Sequence, residues 1–465
     1  MQAEFTDLQN FVYIEKQRMH ISRRHFSHEF NSFLIEAQKK WLERTIHSLN
    51  SMCQELKLPL DPARPAKMVE LIIESWDELS TLFKAVRPVK PIFGPKDFLN
   101  ALQALQHPNK NGHDDPLFKS SLSNLPLPTK DLSALRQKYA SLNLTCMQNG
   151  VDDQSSVGNF CNALRELHSL KVLQHRSSQH ARVFLQNGCP LGFRSRIWAL
   201  CLNINVTRSD RAYYSQLKQN VAETDLVVDQ LIHKEMQLIV GNDEMYFVFC
   251  DYIYKVLLPF LRDPKVMEVF ASYPGTVLKA SRRKNIDSVI YPPSGVIPFH
   301  GFSMYVSPLC YLYDDPVQLY IVFRQMYMNY FHRLHIISDD PEGILSLCIL
   351  FERILQDKEP ELVMHLTCVG APPLRLAFRW ILRAFSGYLS PEQVLLLWDR
   401  ILAWDSLEII VVLAASIMSH RKRNLMQAEN LTTVEAILAD FSTLNVTSLL
   451  QTFLFTFSTE LPRSG

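Results

Sequence analysis

Val394, Leu397, Trp398 and Ile401 recur at i, i+3, i+4 and i+7, directly after Ser390-Pro391-Glu392-Gln393. Apolar residues at that spacing build one buried helix face. The serine-proline pair supplies an N-cap with proline at the first helical position. Leu374, Ala377, Phe378, Ile381, Leu382 and Phe385 repeat the pattern in the stretch before it. Asp315-Pro316, with Gln318 placed for a capping box, opens another such segment, rich in aromatics from Tyr320 to Phe331. Extended alternating runs are scarce, and the 14 glycines are about half the usual share for 465 residues. The spacing predicts an all-α protein.

The first fifty residues read as helix, with Trp41, Ile46 and Leu49 among interleaved charges. Prolines then cluster at 59–65, 88–95 and 108–128. Residues 1–175 are accordingly expected to form an N-terminal helical region with Pro-rich connections. The polar stretch Asn149 to Asn159 reads as a linker into the strongly helical C-terminal part of the chain.

Lys plus Arg number 48 against 47 Asp plus Glu, which argues against an electrostatic nucleic-acid binder. Nine cysteines are scattered without a Cys-x-x-Cys pair, as expected of reduced, buried thiols in an intracellular protein. MQAEFTDLQN lacks the order of a signal peptide. The apolar run from Ile409 to Met418 is about half the length that spans a bilayer. A soluble, cytoplasmic protein without a transmembrane segment is expected.

Enzyme signatures are missing: there is no phosphate-binding glycine loop, no His-Glu-x-x-His and no Gly-x-Ser-x-Gly. His332 and His335 lie one helical turn apart, but no third ligand accompanies them, and a polar helix face is the expected reading. His335 with Asp340 fits a short acyltransferase-like pattern, although Asp340 is better placed as an N-cap before Pro341. No metal and no cofactor are called for. Arg375, Arg379 and Arg383, four apart, form a basic stripe on one helix face. Such a stripe either is solvated or meets an acidic partner.

Two segments go beyond periodicity. Gly188-Cys189-Pro190-Leu191-Gly192-Phe193-Arg194-Ser195-Arg196-Ile197-Trp198 resembles the opening of TBC domains, a glycine-x-proline followed by arginine and tryptophan positions. Far downstream, Arg379-Trp380, Phe385 and Leu397-Trp398-Asp399 resemble the paired Arg-Trp and Leu-Trp-Asp helices of the same fold. The chain thus resembles the TBC-domain family of GTPase-activating proteins for Rab GTPases. The resemblance implies a V-shaped TBC domain of two helical lobes over 180–460, whose groove receives a GTP-bound Rab. Gly188, Pro190, Arg194, Trp198, Arg379, Trp380, Trp398 and Asp399 would build that fold. Regulation of vesicle trafficking follows from it, with membrane contact only indirect, through the Rab, and a peripheral position at vesicle membranes.

Members of the family supply an arginine finger and a glutamine finger in trans. The guanidinium stabilises charge spreading over the transferring phosphoryl group, worth roughly 10³ to 10⁵ in rate or about 4 to 7 kcal/mol. The arginine pattern aligns on Leu226 to His233, where Asp229 fills the acidic position and Ile232 the arginine position. No arginine lies between Arg211 and Arg262, and His233 and Lys234 are the nearby cations. The glutamine pattern aligns on Pro298-Phe299-His300-Gly301, which puts His300 at the glutamine position, and no glutamine lies between Gln237 and Gln318. An imidazole does not present the donor and acceptor of one planar amide.

Three readings stay open. The chain activates a Rab atypically, with Arg282 or Arg283 of the basic cluster Ser281-Arg282-Arg283-Lys284 swinging in from the segment between Leu261 and Tyr291. Alternatively it is a non-catalytic Rab-binding or scaffold module, with His300, Gly301, Arg375, Arg379 and Arg383 as contact candidates. The remote third is an enzyme built on His335 and Asp340.

Overall fold

The computed structural model describes residues 2–83, 90–106, 121–143, 147–151, 158–242, 245–270, 279–280 and 289–456, and side chains of the first helix from residue 29. The architecture is all-α. Among the described residues the exception is a ribbon two residues long on each side, pairing Lys279 with Ile290 and Ala280 with Val289 in antiparallel register.

The first helix runs from Gln2 to Leu56. Leu34, Gln38, Trp41, Thr45, Leu49 and Met52 are its buried positions. Their separations are four or three residues throughout, the stripe a helix needs to lie along a core. Gln38 Oε1 accepts a hydrogen bond from the Ile337 backbone N–H at 2.8 Å, which ties this helix to the distant body of the chain. The short helix Pro95–Gln103 starts where Gly94 N–H donates to Asp97 Oδ2 at 2.9 Å, with proline at its first position. Phe98, Leu99 and Leu102 are its buried residues.

The body comprises helices that include Leu191–Cys201, Asp229–Asn242, Cys250–Leu261, Pro316–Asn329, Ile344–Lys358, Pro373–Leu382, Pro391–Trp404 and Glu408–His420. Every residue of the last from Glu408 to Met418 is buried, the mark of a central helix enclosed by its neighbours. The helix starts expected at Asp315 and Ser390 are present. Ser390 Oγ accepts from Gln393 N–H at 3.5 Å, whereas Asp315 caps through Val317 N–H at 3.0 Å, without the reciprocal bond from Gln318. One contiguous apolar cluster extends from Leu34 to Leu454.

Two local expectations are corrected. Asn149, expected in a solvated linker, is buried: its Nδ2 donates to Cys189 O at 2.7 Å and its Oδ1 accepts from Arg165. Residues 152–157 of that linker lie outside the described residues, and helix Gly158–His175 takes in its end. Asp340 caps a turn, accepting from Glu342 N–H at 2.9 Å, and the next helix begins only at Ile344, after Gly343.

Candidate functional site

Asp399 gathers the two distant motif segments. Its carboxylate accepts from Arg194 Nε and Nη2 at 3.1 and 3.0 Å, from Trp198 Nε1 at 2.7 Å and from Cys189 N–H at 3.1 Å. Arg194 and Asp399 are both buried, and buried charges persist where each is paired and bonded. Pro190 sets the start of helix Leu191–Cys201. Gly188 adopts φ +85°, and a Cβ there would lie 2.5 Å from Asn149 Cβ and 2.7 Å from Arg400 Nη1. Trp380 and Trp398 are fully buried. Gly188, Pro190, Arg194, Trp198 and Asp399 therefore meet in one place, while Arg379-Trp380 lies on the neighbouring helix Pro373–Leu382.

Helix Asp229–Asn242 carries the second constellation. Asp229 is fully buried and accepts from Arg262 Nη1 and Nη2 at 2.8 and 2.6 Å, with Arg64 Nη2 a further 3.7 Å away. Ile232, one turn on, has no exposed surface. Glu235, another turn on, is buried and turns toward the loop ahead of Phe302. There it accepts from Gly301 N–H at 2.7 Å and from Ser303 Oγ at 3.2 Å, and lies 2.9 Å from His300 Nδ1. Gly301 takes φ +94°, which glycine tolerates and which turns the chain back under His300.

Segments from the first hundred residues cover both places. His300 N–H donates to Phe93 O at 3.0 Å, and the Phe93 and Phe299 rings stack at 5.4 Å. Phe83 stacks on His233 at 4.7 Å, next to Ile232. Burial pushes the His233 imidazole down to about 4, so it is neutral at physiological pH, which leaves half-buried Lys234 as the nearby cation. Arg64, Phe83, Phe93, Glu235 and Arg262 were not picked out in the sequence. Glu235 carried a signal, being an acid three residues beyond Ile232 and six beyond Asp229 on one helix. Arg262 and the N-terminal residues carried none, because their proximity arises only on folding.

Arg375, Arg379 and Arg383 line a cavity of about 950 Å³ between helices Pro95–Gln103 and Pro373–Leu382, with His300 at its edge. Arg379 and Arg383 flank the Tyr388 ring, at 5.8 and 5.7 Å from guanidinium carbon to centroid. Arg383 Nη2 also donates to His300 O at 3.3 Å. Arg379 and Arg383 are half-buried in this concave wall, whereas Arg375 is exposed.

His332 is buried and His335 half-buried, not on a polar helix face, and desolvation pushes them down to about 4 and about 3. His335 Nε2 pairs with Tyr327 OH at 2.8 Å, whereas Asp340 lies beside Arg333 at 3.5 Å. The two therefore do not form an acid–base pair. Among the described residues no group of three or more His, Cys, Asp or Glu side chains is placed to hold a metal ion. The basic cluster from Ser281 to Lys284, including Arg282 and Arg283, lies outside the described residues. No helix among the described residues is long and apolar enough to cross a membrane.

Residues 299–426 match the family described as Rab-GTPase-TBC domain. The chain is also 46% identical over 431 residues to the human protein "TBC1 domain family member 19", covering 91% of this chain and 82% of that one.

Proposed function

The chain belongs to the Rab-GTPase-TBC domain family, and on that premise we propose that it docks a GTP-bound Rab without supplying catalytic fingers. It works as a Rab-facing binding or scaffold module in vesicle trafficking, reaching membranes through its partner. The observation that carries this reading is the complete burial of Ile232 at the arginine position. A finger must present a guanidinium to the phosphates of another molecule, and neither the residue type nor its placement allows that. The neighbouring groups do not compensate. Arg262 is committed to Asp229, His233 is neutral beneath Phe83, and Lys234 brings a point charge without the planar fork of a guanidinium.

At the glutamine position, His300 is held through its backbone by Phe93 and through its ring by Glu235. Both bonds are intramolecular. The histidine thus serves loop architecture in the first instance, and water positioning is left without an amide.

Pull-down of purified Rab GTPases, loaded with a non-hydrolysable GTP analogue or with GDP, tests the reading. At least one Rab is expected to bind preferentially in the GTP-like state. Ile232→Ala and His300→Ala are expected to retain that affinity. Failure of every Rab to bind in either state would overturn it.

A further inference from the structure

The cavity between helices Pro95–Gln103 and Pro373–Leu382 carries a charge balance unlike the rest of the molecule. Lys96, Arg375, Arg379 and Arg383 line it, and Glu435 is the single carboxylate among its lining residues. The whole chain is nearly neutral, at a formal +1. Among the described residues none of those four cations takes part in an ion pair. Several buried or half-buried arginines elsewhere are matched: Arg262 by Asp229, Arg194 by Asp399, Arg324 by Asp263. The Nε atoms of Arg379 and Arg383 are buried without any hydrogen-bond partner. Like charges brought together at such a wall repel one another unless something anionic joins them.

The geometry favours a compact ligand over an extended one. Arg375 and Arg379 sit four residues apart on helix Pro373–Leu382 and Arg383 caps its end, so their backbone positions step about 6 Å along the axis. Tyr388 lies between two of them and fixes their planes. Lys96 faces them from the opposing helix, near its start, where backbone N–H groups add positive potential. A volume of about 950 Å³ matches a small-molecule site. Guanidiniums in this arrangement suit the bidentate recognition of phosphate oxygens.

We infer that this cavity binds a small molecule bearing several phosphate groups, clamped between the N-terminal helix Pro95–Gln103 and the arginine face of Pro373–Leu382. The free metabolite and the headgroup of a phosphorylated inositol lipid share that chemistry. Because Arg383 also bonds His300 O, an occupied cavity would stiffen the loop at His300. The inference does not depend on whether a Rab binds.

Isothermal titration of the full chain with inositol hexakisphosphate, and sedimentation with phosphatidylcholine vesicles with or without phosphatidylinositol 4,5-bisphosphate, test it. Saturable one-to-one binding that weakens with salt is expected. The double variant Lys96→Glu/Arg375→Glu changes two exposed side chains and is expected to lose about tenfold or more in affinity. Arg375→Gln alone gives the same readout, in smaller measure, should the double variant not fold. Binding to the free polyphosphate assigns the site to a soluble ligand, and binding only to the phosphoinositide vesicles assigns it to a headgroup. No binding to either probe, unchanged affinity in the variants, or equal affinity for polyglutamate would each overturn the inference.

Discussion

His300 Nδ1 lies 2.9 Å from Oε1 of Glu235, a buried carboxylate one helical turn beyond Ile232. This pair joins the loop at His300 to helix Asp229–Asn242, which carries Ile232. The same carboxylate receives the Gly301 N–H and the Ser303 hydroxyl, so one side chain organises the whole loop.

Glu235→Ala should therefore loosen the loop while leaving the fold. It strands the buried Gly301 N–H, at a cost of about 1–3 kcal/mol. Amide exchange at Gly301 to Ser303 is expected to accelerate markedly, with helix Glu408–His420 unchanged. Equal protection in the variant would show that the carboxylate is not the anchor.

Gly301→Ala meets two obstacles. Its φ of +94° is unfavourable for any Cβ, by about 1–2 kcal/mol. The new Cβ would also overlap the Arg383 guanidinium at Nε. Loss of stability is expected, and the double variant with Arg383→Ala should relieve the clash but not the backbone strain. A double-mutant cycle on denaturation midpoints measures that coupling, and strict additivity would contradict it.

Asp399→Ala is expected to be far more damaging. It leaves Arg194 charged and buried without its partner and frees Trp198 Nε1 and the Cys189 N–H. Breaking one side of a buried ion pair costs about 3–5 kcal/mol. Chemical denaturation should show it, and a loss within about 1 kcal/mol would contradict the structural role.

Acid should destabilise the chain before the carboxylates titrate. Burial holds His233 and His332 at about 4 and His335 at about 3, all below the unfolded value of 6.5. The unfolded chain then binds more protons in that window, so stability present above about pH 6.5 is lost as pH falls toward the folded values. Glu352 works the other way. Desolvation raises it to about 7, which favours the folded state at lower pH and withdraws that support as pH rises. Melting midpoints between pH 7.5 and 5 should fall, and His335→Gln should flatten the slope. An unchanged slope in that variant would mean His335 is not held neutral.

How much of this was legible in the sequence differs from element to element. The helices at Pro316–Asn329 and Pro391–Trp404 were readable because caps and apolar spacing are local. The Arg194–Asp399 junction was readable in kind, since both motif segments carried a recognisable order, although the contact itself was not. The fate of the arginine stripe was not legible. A row of arginines four apart looks solvated until Pro95–Gln103 packs opposite and turns the face into a cavity wall. Asn149 misled for the same reason: a polar stretch reads as linker unless one knows that Arg165 and the Cys189 carbonyl are waiting for its amide. Nor could the sequence indicate that Phe83 and Phe93, from the N-terminal region, lie against His233 and His300.

The most direct measurement is single-turnover GTP hydrolysis by a panel of purified Rab GTPases, with and without this protein in excess. The proposed reading, in which Ile232 and His300 stand at the finger positions, predicts rates at the intrinsic level for every Rab, including any that binds. Acceleration of one Rab by about a hundredfold or more, within reach of the effect an arginine finger produces, would contradict the account. Its abolition by Arg282→Ala or Arg283→Ala would then identify the replacement.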